Sequence, residues 1–321
     1  MPRTVEAVLH DGTAIHVSVQ GNVHGTARSV LLPVRIEPYP PSEAETMRRW
    51  GADPELGTNL VAGLAGSYRV ISADYEGHRM AHPAPDTLTP ANVAADLLAI
   101  ADAAGADTFA YYGYSWLALA GLQLAIRTDR LWALAMGGYP PLDGPYQSML
   151  SVTRSAHRMA TEAAAQSSLA DVDVAAAQGE VAGADVTGVD VAEVSAAEID
   201  LSDVEPGDWD AFPVQTSEDQ TQQFVTLYEA LQDFDDSQVA LPPGLARLAF
   251  AGSADRIEYG PAWDNVQVRI GEPLADHEPE LTAAGWDVRV LPGLDHIGAM
   301  NSDVVLPLLQ DWLRNLPGQN I

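Results

Sequence analysis

The stretch Phe109-Ala110-Tyr111-Tyr112-Gly113-Tyr114-Ser115-Trp116-Leu117-Ala118 joins a β-rich apolar run to a helical run, and Ser115 stands at the junction. A residue between a buried strand and a helix must turn the chain sharply, and a small neighbour such as Gly113 relieves the crowding there. The pattern G-x-S-x-G is typical of a nucleophilic serine at such a turn, but Leu117 stands where the second glycine is expected. The stretch therefore predicts a nucleophile, against the alternative that Ser115 only caps the helix.

Strands and helices alternate on both sides of this junction. Four apolar runs predict buried parallel strands, at Ser29–Val34, Tyr68–Ala73, Thr108–Tyr112 and Trp132–Met136. Thr4–Leu9 and Ala14–Val19 predict an antiparallel hairpin before them. The clearest helix has Thr89 as its N-cap and ends at Gly105. This alternation implies βαβ units and an α/β fold.

The alternation stops after the sixth predicted strand and resumes after Pro243, with strands at Leu245–Ala251 and Trp286–Leu291 and helices at Pro273–Ala284 and Val304–Leu316. We therefore predict a core in two parts, residues 1–141 and 244–321, with residues 142–243 inserted between them as a cap. Inside the insert, helices are predicted at Tyr146–Ala165 and Thr216–Asp233. Residues 165–210 hold many acids and no base, without a calcium-binding spacing, so we expect this stretch to be the least ordered.

A candidate acid and a candidate base follow the last two predicted strands. Asp255 stands in Phe250-Ala251-Gly252-Ser253-Ala254-Asp255-Arg256, and His296 stands in Leu291-Pro292-Gly293-Leu294-Asp295-His296. Loops after parallel strands gather at one edge of the sheet, so a carboxylate there can orient an imidazole beside Ser115. Asp143, after the sixth strand, is an alternative acid. The alternative without a catalytic role is that Asp255 pairs with Arg256 or caps a turn, and that His296 is an ordinary surface loop residue.

The order Ser115, Asp255, His296 resembles that of the α/β-hydrolase fold family over nearly the whole chain apart from the acidic insert. The segment Ala73-Asp74-Tyr75-Glu76-Gly77-His78-Arg79 is similar to the family pattern D-x-R-G-H-G-x-S, with Glu76 in place of the Arg. The resemblance implies a mostly parallel eight-stranded sheet flanked by helices, with the cap inserted after the sixth strand. It also implies Ser115 as nucleophile, His296 as base and Asp255 as acid.

The chain departs from the family at the third strand, where Pro33 and Val34 replace the usual His-Gly pair. By the same resemblance, the backbone N–H groups of Arg35 and Trp116 form the oxyanion hole. The Arg35 side chain either pairs with Glu37 or Glu76, or points into the pocket and binds a substrate carboxylate. A tryptophan directly after the nucleophile, as at Trp116, is also found in haloalkane dehalogenases, which use an aspartate nucleophile. Ser115 would instead form an ether that the enzyme could not release, so dehalogenation is not expected.

The expected function is hydrolysis of a carboxylic ester or lactone, with a small-molecule substrate, no cofactor and no metal. The alternatives are a lyase, cyclase or C–C hydrolase that uses the same triad, favoured by Pro33-Val34, and a ligand-binding protein with little turnover. The sequence has no phosphate-binding glycine loop and no cysteine, so thiolate metal sites and a cysteine nucleophile are excluded.

The net charge of -29 repels phosphate backbones and anionic lipid head groups, so we expect neither nucleic acid nor a membrane surface as a partner. All 16 basic residues are arginine, which fits either adaptation to high salt or a coding bias. The N-terminus has no apolar run of signal-peptide length, and no stretch is long enough to span a bilayer. We expect a soluble cytoplasmic protein, with a homodimer as one option for its assembly.

Overall fold

The computed structural model describes residues 3–21, 28–179 and 216–316, with the side chains of 168–179 left out. Its main element is an eight-stranded sheet formed by β1 (Arg3–Val8), β2 (Ala14–Gly21), β3 (Ser29–Leu32), β4 (Arg69–Ser72), β5 (Phe109–Tyr114), β6 (Leu131–Gly137), β7 (Ala246–Gly252) and β10 (Trp286–Leu291). The strand order is β1-β2-β4-β3-β5-β6-β7-β10. β2 is antiparallel to β1 and β4, and the other pairs are parallel. The mostly parallel eight-stranded sheet predicted from the sequence is confirmed.

Helices cover both faces of the sheet. They are α1 (Pro41–Arg49), α2 (Leu56–Leu64), α3 (Tyr75–Ala81), α4 (Pro90–Ala104), α5 (Trp116–Ala125), α6 (Tyr146–Gly179), α7 (Glu218–Glu229), α8 (Gly271–Asp276), α9 (Glu278–Ala283) and α10 (Ser302–Arg314). The side chains of β5 are buried along its whole length, because apolar clusters pack on each face of the sheet. The strand therefore needs the continuous apolar run that the sequence provides.

Three details differ from the sequence-based expectations. The helix predicted at Pro273–Ala284 is two short helices, α8 and α9, because Pro279 has no N–H to continue the hydrogen-bonding pattern. A two-stranded antiparallel sheet, β8 (Arg256–Glu258) and β9 (Gln267–Arg269), lies outside the main sheet and was not predicted. The helix predicted to end at Ala165 continues to Gly179.

The cap follows the sixth strand, as predicted, and its described part consists mainly of α6 and α7. Ser217 and Gln220 form a reciprocal capping box at the start of α7. This helix is bound to the core by Gln223, whose side-chain amide donates to the Arg79 carbonyl at 3.1 Å and accepts from the Ala84 N–H at 3.2 Å. The stretch 165–210, expected to be poorly ordered, lies mostly outside the described residues, and the domain boundaries at 141 and 243 stay a prediction.

None of the helices in the described part of the chain is both long enough and apolar enough to cross a membrane.

Candidate active site

Ser115 occupies a strained turn between β5 and α5. Its φ of 55° and ψ of -131° are unfavourable for any residue with a Cβ atom. The turn is fixed by a 2.8 Å hydrogen bond from the Ser115 N–H to the Gly137 carbonyl on β6. A Cβ on Gly113 would come within 2.3 Å of the Leu117 carbonyl oxygen, so this position must be glycine for the strand and helix to pack this closely. The sharp turn that the sequence predicted at Ser115 is therefore present.

His296 and Asp255 form a hydrogen-bonded pair at the ends of β10 and β7. His296 Nδ1 lies 3.0 Å from each carboxylate oxygen of Asp255. The Asp255 side chain is fully buried, whereas the His296 side chain keeps 19% of its surface exposed. A buried carboxylate at Nδ1 favours the tautomer with Nδ1 protonated and leaves Nε2 free to accept a proton.

The two loops that carry this pair are joined through backbone groups. The Ala254 N–H donates to the Leu294 carbonyl at 2.9 Å. Gly252 permits this approach, since a Cβ there would lie 1.9 Å from the Leu294 carbonyl oxygen. The carbonyl of Asp255 accepts two further hydrogen bonds, from the N–H groups of Ile270 and Gly271. The carboxylate that orients the imidazole is therefore held by a rigid backbone.

Ser115 and His296 line one pocket of about 320 Å³ at the carboxyl ends of the central strands. The rest of the wall comes from the loop after β3, from α1, from α2 and α3 with the residues just before them, from the end of β5, from the start of α5 and from the segment before α10. These residues are Pro33, Val34, Arg35, Tyr39, Met47, Asp53, Pro54, Leu56, Gly57, Asp74, Glu76, Tyr112, Gly113, Tyr114, Trp116, Leu117 and Met300. Among the described residues, no hydrogen-bond partner of Ser115 Oγ is found. The hydroxyl is thus free to rotate toward a substrate or the imidazole.

The loop after β3 begins at Pro33 and lies against the first turn of α2. A Cβ on Gly57 would come within 1.8 Å of the Arg35 carbonyl oxygen, so the loop reaches its position only because residue 57 is glycine. The Trp116 N–H is in the first turn of α5, where a helix has no preceding carbonyl to bind it. The predicted oxyanion donors, Arg35 and Trp116, thus both line the pocket that holds Ser115.

The Arg35 side chain folds back on its own loop. Its guanidinium donates to the carbonyls of Glu37, at 3.0 Å, and Pro38, at 3.4 Å. It also lies over the ring of Tyr39, 4.5 Å from the ring centre, and 4.0 Å from a carboxylate oxygen of Asp74. The predicted pairing with the Glu37 or Glu76 carboxylate is not observed; Asp74 and backbone oxygens take that place.

The other candidates lie elsewhere. Asp143 is exposed and its nearest described basic group is His277, at 3.9 Å, whereas Asp255 contacts His296. Arg256 pairs with Glu258 at 2.9 Å rather than with Asp255. The side chain of Asp295 accepts the Gly298 N–H and so closes its own turn.

Two contacts in the pocket were not predicted. The indole N–H of Trp116 donates to Glu76 Oε1 at 3.0 Å. The Tyr114 hydroxyl donates to the His296 carbonyl at 2.7 Å, which fixes the backbone of the histidine. Glu76 was visible in the sequence as the departure from arginine in the segment after the fourth strand, but nothing there indicated that its partner would be Trp116.

Thr87, His10 and Asp96 form a second row of hydroxyl, imidazole and carboxylate groups, linked by hydrogen bonds and separate from the pocket of Ser115. His10 Nδ1 is 2.8 Å from the buried Asp96, and His10 Nε2 is 3.0 Å from the Thr87 hydroxyl. The N–H groups of Thr87 and Leu88 both bind the Ala84 carbonyl, so neither can stabilise an oxyanion beside the hydroxyl. We interpret this row as an anchor for the turn between β1 and β2.

A larger pocket of about 550 Å³ borders Asp255 and His296 and is lined by the β8–β9 hairpin, but Ser115 is not on its wall. Within the described ranges, no group of three or more histidine, aspartate or glutamate side chains is placed to hold a metal ion.

Solved structures with the α/β-hydrolase fold match this chain along almost its whole length. The enol-lactonase from Burkholderia xenovorans has 18% identity and a TM-score of 0.53, over 97% of this chain and 100% of that chain. A variant of AqdC in complex with its substrate, the Pseudomonas quinolone signal, has 15% identity and a TM-score of 0.56, over 98% and 100%. The epoxide hydrolase VrEH1 from Vigna radiata has 13% identity and a TM-score of 0.54, over 98% of each chain.

No protein-family profile matches the chain, and no curated protein matches it in sequence. At these identities the structural matches establish the fold alone. The chain has the α/β-hydrolase fold, with a cap after the sixth strand, as the sequence predicted.

Proposed function

We propose that this protein hydrolyses a carboxylic ester or lactone through an acyl-enzyme on Ser115. The observation that carries the proposal is the pocket that contains both Ser115, on its strained turn, and His296, held by the buried Asp255. Such a turn presents the hydroxyl above the sheet edge, and the pair supplies a base with the correct tautomer.

In the proposed reaction, His296 Nε2 takes the Ser115 proton as Oγ attacks the substrate carbonyl. The Asp255 carboxylate stabilises the imidazolium, and the N–H groups of Trp116 and Arg35 bind the developing oxyanion. The imidazolium then protonates the leaving alkoxide. Water, deprotonated by His296, cleaves the acyl-enzyme in the second half of the reaction.

Labelling with a fluorophosphonate tests whether Ser115 is an activated nucleophile. We expect stoichiometric labelling of the wild-type protein and none of Ser115→Ala, followed by turnover on a panel of activated esters and lactones. The fold is shared with an enol-lactonase and with proteins that act on other substrates, so the panel should include both linear esters and lactones. An unlabelled wild-type protein would contradict the proposal.

A second candidate function uses the His296–Asp255 pair as a base that acts directly on the substrate, in a lyase or ring-cleaving reaction. The unbonded Ser115 hydroxyl and the Pro33-Val34 loop favour it. In that case Ser115→Ala would keep most of the turnover, whereas His296→Ala would remove it, so the two variants together separate the candidates.

A further inference from the structure

Glu76 contributes an unpaired carboxylate to the pocket of Ser115. One of its oxygens, Oε1, accepts the Trp116 indole N–H at 3.0 Å, which fixes the orientation of the group. Among the described residues, no other hydrogen bond and no arginine or histidine ion pair to Glu76 is found. The second oxygen therefore keeps its acceptor capacity for a ligand in the pocket.

The remaining charges of the pocket do not neutralise this carboxylate. Arg35 is the arginine on the pocket wall, and its guanidinium lies against Asp74 and the ring of Tyr39. Asp53 is engaged with the N–H and hydroxyl of Ser302. Three carboxylates and one guanidinium thus line the pocket, and among the described residues Glu76 is the carboxylate of the three that has neither an arginine nor a backbone N–H group as a partner.

Glu76 as a whole is exposed to solvent, but desolvation of its carboxyl group by the surrounding protein raises the pKa of that group above its ordinary value. The Trp116 hydrogen bond opposes the rise, and the negative charge of Asp74 adds to it. A carboxylate in this situation is stabilised by a cation that enters the pocket.

The pocket also has aromatic walls, which include Tyr112, Tyr114 and Trp116. Aromatic faces together with a carboxylate are a favourable surface for an organic cation, because the rings attract it without a hydrogen bond. A substrate carboxylate, by contrast, would be repelled by the charge excess.

We propose that Glu76 determines specificity by binding a positively charged ammonium group on the substrate, so that the preferred substrates are cationic esters or lactones. This inference rests on the proposed hydrolytic function of Ser115. It deepens that function by assigning the substrate a charge.

The test uses two esters of equal shape and different charge: butyrylcholine, and 3,3-dimethylbutyl butyrate, in which carbon replaces the ammonium nitrogen. We expect the wild-type protein to prefer the cationic ester in kcat/KM by about tenfold or more, and Glu76→Gln to reduce this ratio by about tenfold. Glu162→Gln removes the same charge from the exposed face of α6 and should leave the ratio unchanged.

Binding of both esters to the Ser115→Ala protein, measured by calorimetry, makes the outcome independent of turnover. A tighter Kd for butyrylcholine that is lost in Ser115→Ala/Glu76→Gln supports the inference even if neither ester is hydrolysed, and fluorophosphonate labelling of Ser115 then decides the hydrolytic proposal separately. Hydrolysis of both esters without a preference, or a preference that survives Glu76→Gln, overturns the inference and leaves the hydrolytic proposal standing.

Discussion

At the scale of single residues, Ser115 has an unfavourable backbone conformation that lowers the stability of the fold. A non-glycine residue at φ 55° and ψ -131° is destabilised by about 1–3 kcal/mol, and the contacts of β5, β6 and α5 hold it there. Such strain is retained where the side chain is needed, which fits the proposed nucleophile.

Replacement of Ser115 should therefore separate stability from function. Both Ser115→Gly and Ser115→Ala lack the hydroxyl, but only the glycine variant also lacks the Cβ atom. The free energy of unfolding of Ser115→Gly should therefore exceed that of Ser115→Ala by about 1 kcal/mol. Chemical denaturation of the two variants checks this. A glycine variant less stable than the alanine variant would mean that the turn is not strained in solution.

The acid of the proposed triad can be tested by two matched amide substitutions. Asp255→Asn should lower kcat by about 10³–10⁴-fold, because an amide beside Nδ1 favours the wrong imidazole tautomer. Asp143→Asn should change kcat little, since Asp143 is exposed and lies near His277 rather than His296. A greater loss in Asp143→Asn would transfer the acid role to that residue.

At the scale of elements, the pocket depends on the close approach of the loop after β3 to α2. Gly57→Ala would place a methyl group within 1.8 Å of the Arg35 carbonyl oxygen, so the loop must move. We expect kcat to fall by about tenfold or more through displacement of an oxyanion donor. Gly66→Ala is the control, because its Cβ would meet no atom within 4 Å. Equal activity of the two variants would show that the loop position does not matter.

The turn between β1 and β2 is bound to α3 through a closed set of hydrogen bonds. The hydroxyl of Thr13 donates its proton to Asp11 and accepts a hydrogen bond from Arg79. Its second acceptor site binds the Nε2–H of a neutral His78 at 2.9 Å. Burial, together with the positive charges of Arg79 and His82, lowers the pKa of His78 to about 4, against the opposing effect of Asp11 and Asp96.

This pKa makes part of the stability depend on pH. Between about pH 6.5 and pH 4, His78 binds a proton in the unfolded chain but stays neutral in the folded state. Proton binding therefore favours the unfolded state, and the free energy of unfolding falls as the pH drops through this window. His78→Gln should reduce the loss of unfolding free energy in this window by about 1–2 kcal/mol. Substitution of the exposed His16 by Gln is the control. Parallel pH profiles for wild type and His78→Gln would contradict the account.

At the scale of the whole molecule, the succession of strands and helices along the chain, the insertion of the cap and the position of Ser115 could be predicted, because each depends on local pattern and chain order. Contacts between distant segments could not. The pairing of Glu76 with Trp116 requires α3 and α5 to meet at the sheet edge, and the division of α8 from α9 depends on a single proline. The sequence predicted that His296 and Asp255 meet, and the rigid backbone that joins them became visible only in the structure.

The acyl-enzyme itself offers the most direct test of the hydrolytic account. A p-nitrophenyl ester that the protein turns over would be mixed with enzyme, quenched in acid within the first turnover, and the digest analysed by mass spectrometry. We expect the mass of the acyl group on Ser115 in the wild-type protein and its absence in Ser115→Ala. Release of product without acylation of Ser115, at a rate that Ser115→Ala retains, would contradict the account.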